Sequence, residues 1–234
     1  MTHRAIGPLG LRASSVSVHI AAHLERLITI GEFSAGEKFP AERDLAADLQ
    51  VSRASLREAM HELEAKKLID RRPGRGTIVL PPPEHVRDLY QQISGEEHKL
   101  RDVAELRETI EPQIARLAAC RATEANLIEL DGVLQHTVEG LNVDGSVKLD
   151  LEFHLLLAQA SQNPLLASLN TLASSWTLPV RKLSHATKHA RVVSYRGHRA
   201  ILDAVVAGDK NAAGETMLKH LQEVAELTNQ NCLL

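Results

Sequence analysis

Three consecutive prolines, Pro81 to Pro83, most constrain how this chain can fold. Each ring fixes φ and removes a backbone donor, so the stretch LPPPEH can continue neither a helix nor a central strand and acts as a stiff spacer. We therefore predict two domains: residues 1–80, with an irregular head at 1–14, and residues 85–234, joined by a proline linker at 81–84. A chain of 234 residues accommodates two domains of ordinary size.

Composition favours a helical interior and a reducing compartment. Apolar residues make up 44% of the chain but aromatic residues only 3%, so Leu, Ala, Val and Ile must build the core. No apolar run approaches the roughly 18 residues of a membrane span, and the N-terminus lacks an apolar signal region. Cys120 and Cys232 provide no disulfide framework. We expect a cytoplasmic protein with no membrane partner.

The sequence before the prolines predicts the order helix, helix, turn, helix and hairpin. Apolar spacing predicts a helix over Val16–Ile30, a second from about Ala41 to Leu49, and a third after the N-cap residue Ser52. From Leu68 the period changes, and LIDRRPGRGTIVL has two β-prone ends around glycines. This order is typical of a winged helix-turn-helix, in which the helix after Ser52 is the recognition helix.

Arginines are concentrated where such a module contacts DNA. Residues 1–80 carry 12 Lys and Arg against 10 Asp and Glu, and residues 81–234 carry 15 against 20, so DNA contact must come from local patches. A single surface arginine is usually just solvated, but that does not explain the whole group. The candidate DNA-binding residues are Arg43, Ser52, Arg53, Ser55, Arg57, Arg72, Gly74 and Arg75.

Residues 16–80 resemble the DNA-binding domain of the GntR family of bacterial transcription regulators. The resemblance rests on GEFSAGEKFPAERDLAADLQVSRASLREAMHELEAKKLIDRRPGRGTIV. One departure is Lys67, where the family usually has a glycine ending the recognition helix, and a non-glycine residue in the left-handed region costs about 1 kcal/mol. The family positions that contact the operator correspond to Arg43, Arg53, Arg57 and Gly74.

Beyond the prolines the pattern predicts only helices, and therefore an all-helical bundle. QNP at 162–164 predicts an asparagine N-cap with proline at the first helical position, and glycines 140, 145, 208 and 214 supply most of the breaks. The fold class is mainly α, with a β-hairpin wing in the first domain. The predicted helices lie at about 84–93, 100–120, 123–139, 145–161, 164–186, 190–207 and 211–228.

Four side chains on apolar helix faces suggest a metal site. Asp150 and His154, in DLEFHLLLAQAS, lie one helical turn apart, which alone fits a surface accident, an ion pair or half of a metal site. His198 and His220 fall among core residues of two later helices, where a hydrogen-bonded core histidine is the simpler alternative for each. One carboxylate and three imidazoles suit Zn, with Ni, Mn or Fe as alternatives, better than Mg or Ca.

A second histidine pair offers a competing site. His185 and His189, in SHATKH, are also four residues apart. Their neighbours are polar and Lys188 lies between them, so we expect the metal at the first group.

Residues 84–234 resemble the all-helical effector domain, called FCD, of the FadR-type branch of the GntR family. The resemblance rests on ELRETIEPQIARLAA, DLEFHLLLAQASQNPLL and GHRAILDAVVAGDKNAAGETMLKHL. Gly197 departs from the acidic residue that is common before the third ligand, which would alter the surroundings of that ligand. The resemblance implies a divalent metal in the ligand cavity, bound by Asp150, His154, His198 and His220.

Two further residues are candidates for effector binding. The resemblance implies that Arg107, in ELRETIEP, faces the effector, where its guanidinium would hold a carboxylate through two hydrogen bonds. The alternative is an ion pair with Glu111, four residues on. Trp176, the only tryptophan, would wall the pocket or pack in the core.

Together these features predict a transcription repressor and not an enzyme. We expect a homodimer, assembled through residues 85–234, on a palindromic operator of double-stranded DNA. A small organic acid, a sugar acid among the candidates, would act at the metal with a coupling free energy of roughly 1–3 kcal/mol. A metalloenzyme would leave the DNA-reading segment unexplained, and no general base or nucleophile motif is visible. The third hypothesis is a metal sensor, for which the bound ion itself is the effector.

Overall fold

The computed structural model describes the chain in five stretches, which cluster into two compact units, Met1–Glu84 and His85–Leu234. The predicted helix at 84–93, linker residues 82–84, Arg75 and Gly140 lie outside the described residues. Those residues are 12–72, 74, 76–81, 96–136 and 142–232.

The first unit is a winged helix-turn-helix, as predicted. Its strands pair antiparallel, with Ile69 opposite Val79, and Lys38 adds a single bridge to Ile78 on the outer side of the hairpin. Leu24, on the first helix, is fully buried in the core of this unit. The elements are α1 (Arg12–Thr29), α2 (Glu42–Asp48), α3 (Arg53–Ala65), β1 (Ile69–Arg72) and β2 (Gly76–Val79).

Helix α1 begins earlier than its apolar spacing predicts. The expectation of an irregular head at 1–14 is wrong for its last three residues, because α1 already includes Arg12. The segment RAS contains no glycine or proline to stop the helix, so the helix extends one turn toward the N-terminus. Residues 1–11 lie outside the described part.

Local hydrogen bonds fix both ends of α3. Ser52 is the N-cap, since its Oγ accepts a hydrogen bond from the backbone N–H of Ser55 at 3.0 Å. At the other end the N–H of Lys67 donates to the Glu64 carbonyl at 2.9 Å. Lys67 has φ +57°, so a lysine takes the left-handed position where glycine is usual.

The second unit is all-helical in the residues that the structure describes. The sequence predicts these helices correctly, with ends shifted by a few residues, and Asn163 caps a helix that starts at Pro164 as expected. None of the described helices is long and apolar enough to cross a membrane. The helices are α4 (Glu96–Arg121), α5 (Glu124–His136), α6 (Val143–Ala160), α7 (Pro164–Ser184), α8 (Lys188–Val206) and α9 (Lys210–Cys232).

Two of the glycines that were expected to break helices do not. Gly145 lies in the first turn of α6, and Gly214 lies inside α9. A Cβ at Gly214 would lie 2.4 Å from Cζ of Arg116, so the absence of a side chain lets α9 pack closely on α4. Gly208, with φ +68°, does follow the end of α8.

Candidate metal centre and DNA-binding face

The four predicted metal ligands converge at one buried point in the second unit. Asp150 and His154 lie on α6, His198 on α8 and His220 on α9. Each offers one ligand atom, and these atoms lie within 4.8 Å of one another. Nε2 of His198 is 3.2 Å from Nε2 of His154 and 3.2 Å from Oδ1 of Asp150. All four side chains are buried. The spacing is that of groups facing a common cation.

His220 provides the test of whether this group fits a metal. His220 is 1% exposed, and neither ring nitrogen has a hydrogen-bond partner among the described residues. An unpaired buried polar group costs about 1–3 kcal/mol. A divalent ion bound within the cluster would satisfy one of these nitrogens, and the set of one carboxylate and three imidazoles is a common zinc donor set. The residues therefore fit a metal ion.

Asp150 is held ionised by its neighbours. Arg181, on α7, donates from Nη1 to Oδ2 of Asp150, and Ser194 Oγ donates to Oδ1 at 3.3 Å. Nε2 of His185 lies 3.6 Å from Oδ1. Burial alone would raise the pKa of Asp150, but Arg181 and the histidines outweigh it and hold the pKa well below its usual value. The carboxylate is thus charged and ready to bind a cation.

Glu111, on α4, supports His154 from the side away from the other ligands. Its Oε2 lies 2.8 Å from Nδ1 of His154. Burial alone would raise the pKa of Glu111, but Arg107 and His154 hold it well below its usual value. Burial lowers the pKa of His154 to about 4, so the ring is neutral. The angle of this contact does not meet the criteria for a hydrogen bond, but a negative carboxylate at 2.8 Å favours the proton on Nδ1. His154 would then present Nε2 to a metal ion.

Arg107 forms the ion pair with Glu111 that was the alternative to effector binding. It also lies next to the proposed metal ligands. Its Nε donates to Oε1 of Glu111 at 2.8 Å, and its Nη2 lies 3.4 Å from Nε2 of His154. Arg107 is 4% exposed. Contact with an effector stays a prediction for Arg107, and so does a pocket role for Trp176, which is half-buried on α7.

The rival histidine pair does not come together. His189 is exposed, whereas His185 is 2% exposed beside Asp150. The neighbours of His185 are polar as expected, but its burial was not predicted: it is the C-cap of α7, and its ring lies beside Ser184 and Asp150. Sequence reasoning also missed Glu111, Arg181 and Ser194 as members of the centre. A signal for Arg181 was available: Thr177 and Arg181 are four residues apart on one face of α7, and His185, four residues further on, is the C-cap of that helix.

The predicted contact residues on α3 lie at an exposed helix end. Arg53 and Arg57 are exposed, and neither makes a hydrogen bond or ion pair with the described residues. Ser52 and Ser55 are joined by hydrogen bonds that cap the helix, including one of 2.9 Å between their hydroxyls. The two arginines are therefore free to contact DNA.

The contact residues outside α3 lie on α2 and the wing. Nε of Arg43 donates to its neighbour Asp44 at 2.9 Å, and that of Arg72 donates to Asp70 at 2.7 Å. Both arginines remain largely exposed. Gly74, at the wing tip, is exposed with φ +76°.

Unlike the exposed Arg43 and Arg72, Arg71 of strand β1 is paired with acidic residues of the two neighbouring helices. Its Nη2 donates to Oε1 of Glu42, on α2, at 2.5 Å, and its Nη1 lies 3.7 Å from Oε2 of Glu64, on α3. It is only 18% exposed. Arg71 thus fastens the hairpin to both helices of the helix-turn-helix.

Two family models match these two units. The model described as bacterial regulatory proteins, gntR family, matches residues 16–79. The FCD domain model matches residues 102–223. The chain therefore belongs to the GntR family and has the FadR-type arrangement of a DNA-binding domain followed by an FCD domain.

Similar proteins agree with this assignment. The HTH-type transcriptional regulator LutR of Bacillus subtilis strain 168 is 33% identical over 212 residues, covering 86% of this chain and 95% of that protein. The HTH-type transcriptional repressor NanR of Cronobacter sakazakii is 29% identical over 234 residues, covering 94% and 88%. The protein is a transcriptional regulator and not an enzyme.

Solved structures share the fold. Streptococcus agalactiae GntR has 28% sequence identity and a TM-score of 0.55, covering 89% of this chain and 98% of that one. The metal-free FCD domain of TM0439 has 25% identity and a TM-score of 0.51, covering 60% of this chain and 98% of that one.

Proposed function

We propose that this protein is a cytoplasmic repressor that binds a palindromic operator as a homodimer. A small organic acid that binds at a metal ion changes the affinity of the protein for this operator. The observation that carries the proposal is the buried group of one carboxylate and three histidines with His220 unpaired. Zn is the proposed ion, held by Asp150, His154, His198 and His220.

An acidic effector follows from the charges around this centre. A divalent ion bound there would act as a Lewis acid that attracts an anionic oxygen. Arg107 lies beside His154 with its Nη2 nearest the ligands, so its guanidinium is placed to hold a second carboxylate oxygen. Glu111 keeps both side chains in position through its contacts with them. A sugar acid is one candidate of the proposed class.

The DNA side of the proposal rests on the free arginines of α3. Arg53 and Arg57 have no partner in the described part of the chain, and guanidinium groups at the start of a recognition helix reach guanine edges and phosphates. Arg43, Arg72 and Gly74 would contact the phosphate backbone of the DNA on either side of the bases that Arg53 and Arg57 reach. Repression is supported by the name of the NanR relatives. Two-fold symmetry of a dimer would place two copies of α3 on a palindrome.

Elemental analysis of purified protein tests the metal. The variant His154→Ala/His198→Ala should lose stoichiometric metal, because two of four donors are gone, while His136→Ala, at an exposed histidine of α5, should keep it. Unchanged metal content in the double variant would place the ion elsewhere.

Thermal shift with a panel of organic acids tests the effector, with and without chelator. A metal-dependent rise in Tm for one acid, and a change in operator affinity by the same acid, are expected. If operator binding responds to chelator and to no acid, the protein is a sensor of the ion itself.

Operator binding tests the DNA face, using duplexes selected from random sequence by the wild-type protein. Arg53→Ala should weaken binding by about 1–3 kcal/mol and relax base preference, while leaving the acid-induced Tm shift intact. Arg101→Ala, at an exposed arginine of α4, is the control. Loss of both operator binding and the Tm shift would point to misfolding.

A further inference from the structure

Ala54 is an exposed apolar residue in the second position of α3. The residues that pack α3 into the core of its unit are Leu56, Ala59, Met60 and Leu63. Because a helix turns by about 100° per residue, Ala54 lies on nearly the opposite side of α3 from these four. A recognition helix in the major groove directs this outer side, and its first residues above all, at the edges of the bases.

The polar side chains around Ala54 are either hydrogen-bonded to one another or charged. Ser52 Oγ accepts from the backbone N–H of Ser55 at 3.0 Å, and the two hydroxyls lie 2.9 Å apart. Arg57 and Glu58 lie three and four residues after Ala54, so they are its neighbours on the helix surface. Both are exposed, and neither forms a hydrogen bond or an ion pair with the described residues. The methyl group of Ala54 is thus a small apolar point on a charged surface.

The chemistry of the major groove determines what such a methyl group can contact. Guanine, adenine and cytosine present only hydrogen-bond donors and acceptors there, whereas thymine also presents its C5 methyl group. A methyl side chain forms no hydrogen bond, so contact with a polar base edge would remove water from that edge without replacing its hydrogen bonds. Against a thymine methyl group, two apolar surfaces leave water together. Thymine is therefore the base that suits Ala54.

We propose that Ala54 is a specificity-determining residue that contacts the C5 methyl group of one thymine in each half of the operator. This inference rests on the proposed binding of operator DNA by α3. Arg53, the preceding residue, would contact a base in the same half-site. Ala54 thereby distinguishes thymine from the other three bases without a hydrogen bond.

Replacement of thymine by uracil in the operator tests this contact, because deoxyuridine lacks only the C5 methyl group. The probe is the duplex that the wild-type protein selects from random sequence, with each thymine replaced in turn, symmetrically in both half-sites. Fluorescence anisotropy at constant salt concentration measures the affinity. One replacement should weaken wild-type binding about fourfold per half-site, the change expected for one methyl-sized group that is no longer buried. The same replacement should not weaken binding by Ala54→Gly.

Two further variants complete the test. Ala65→Gly is the matched control, because Ala65 is exposed at the other end of α3 and the substitution is the same. It should keep the wild-type sensitivity to uracil. Ala54→Gln should select adenine in place of thymine at the affected position, because a glutamine amide forms two hydrogen bonds with the N6 and N7 edge of adenine. Circular dichroism shows whether each variant is folded, and Ala54→Gln decides if Ala54→Gly is not.

Three results would overturn the proposal: no thymine at which uracil weakens binding, an equal loss in Ala54→Gly and wild type, or continued selection of thymine by Ala54→Gln. In each case the wild-type protein still binds its selected operator, so only the contact of Ala54 fails. If the wild-type protein selects no sequence at all, the proposed operator binding fails together with this inference.

Discussion

Arginines in the two units of this protein lie in opposite electrostatic settings. On α3, Arg53 and Arg57 are exposed and have no partner in the described part of the chain. In the helical unit, Arg107 and Arg181 are 4% and 2% exposed, and both contact buried carboxylates. Arginine is thus a free cation on the surface of the first unit, whereas in the interior of the helical unit it compensates the charge of buried carboxylates.

The difference indicates which region tolerates change. A charge in water loses little when its partner is removed, whereas a buried charge left alone costs several kcal/mol. The exposed arginines of α3, which we propose contact DNA, should therefore accept substitution without loss of folding stability. The metal centre should lose stability whenever one member of its charge network is removed.

The largest effect should come from removing one buried arginine. Arg181→Met leaves Asp150 without its main counter-charge, so the free energy of unfolding should fall by about 3–5 kcal/mol. Arg53→Met should change it by no more than about 0.5 kcal/mol. Urea unfolding of chelator-treated protein, followed by far-UV circular dichroism and by the fluorescence of Trp176, measures both. Similar losses in the two variants would abolish the contrast between the two regions.

Acid should destabilise the helical unit. Burial lowers the pKa of His154 from 6.5 to about 4, so between these values the unfolded chain binds a proton that the folded chain does not. Stability is therefore lost as the pH falls from about 6.5 to about 4, by about 3 kcal/mol from this residue. Burial also lowers the pKa of His220, which acts in the same direction.

Trp176 fluorescence isolates this effect, because the only tryptophan lies in the helical unit. Its urea midpoint should fall with pH in metal-free wild-type protein and fall less in His154→Gln. A midpoint that is flat over this range would show that His154 titrates normally.

A methyl group at Gly197 should disturb the metal without disturbing DNA binding by the metal-free protein. The added Cβ would lie 2.3 Å from Nδ1 of His220, so the imidazole must move. Metal affinity should fall about 10–100-fold, the range found when the support of a ligand is altered. Gly132→Ala is the matched control, since nothing lies within 4 Å of a Cβ there. Competition with a chromogenic chelator measures both affinities, and equal values would exclude the steric contact.

The smallest effect should come from helix caps, one in each unit. Ser52 caps α3, and Thr187 caps α8 by accepting from the N–H of Ala190 at 3.1 Å. Ser52→Ala and Thr187→Ala should each cost about 1 kcal/mol. Circular dichroism should register both losses, but Trp176 fluorescence should register only Thr187→Ala. If the fluorescence midpoint also falls in Ser52→Ala, the two units unfold together.

Sequence patterns predicted those features that depend on local spacing. The N-cap Ser52, the hairpin around Gly74 and the start of α7 at Pro164 follow from hydrogen-bonding and backbone preferences within a few residues. Asp150 and His154 lie on one face because a helix repeats every 3.6 residues. That they meet His198 and His220 at one point was suggested by the apolar setting of each histidine and by the family resemblance.

Features that depend on packing were not predicted. An arginine or glutamate in a helix is normally solvated, so nothing local distinguishes Arg181 or Glu111 from a surface residue until the partner helices are placed. Gly214 was read as a helix break because its role, close approach to Arg116, involves residues almost a hundred positions away. Predicting these features requires knowledge of which helices pack together.

The fastening of the wing by Arg71 has a consequence for how DNA binding depends on salt. Each arginine that neutralises a phosphate releases a counterion, and steepens the decline of log K with log salt concentration by about 0.9. Arg71 is already neutralised by Glu42 and Glu64, so it releases none. The slope of a salt titration should therefore fall in Arg53→Gln and Arg57→Gln but stay unchanged in Arg71→Gln wherever the hairpin stays folded. The titration thus separates the arginines that we propose bind DNA from the one that holds the wing.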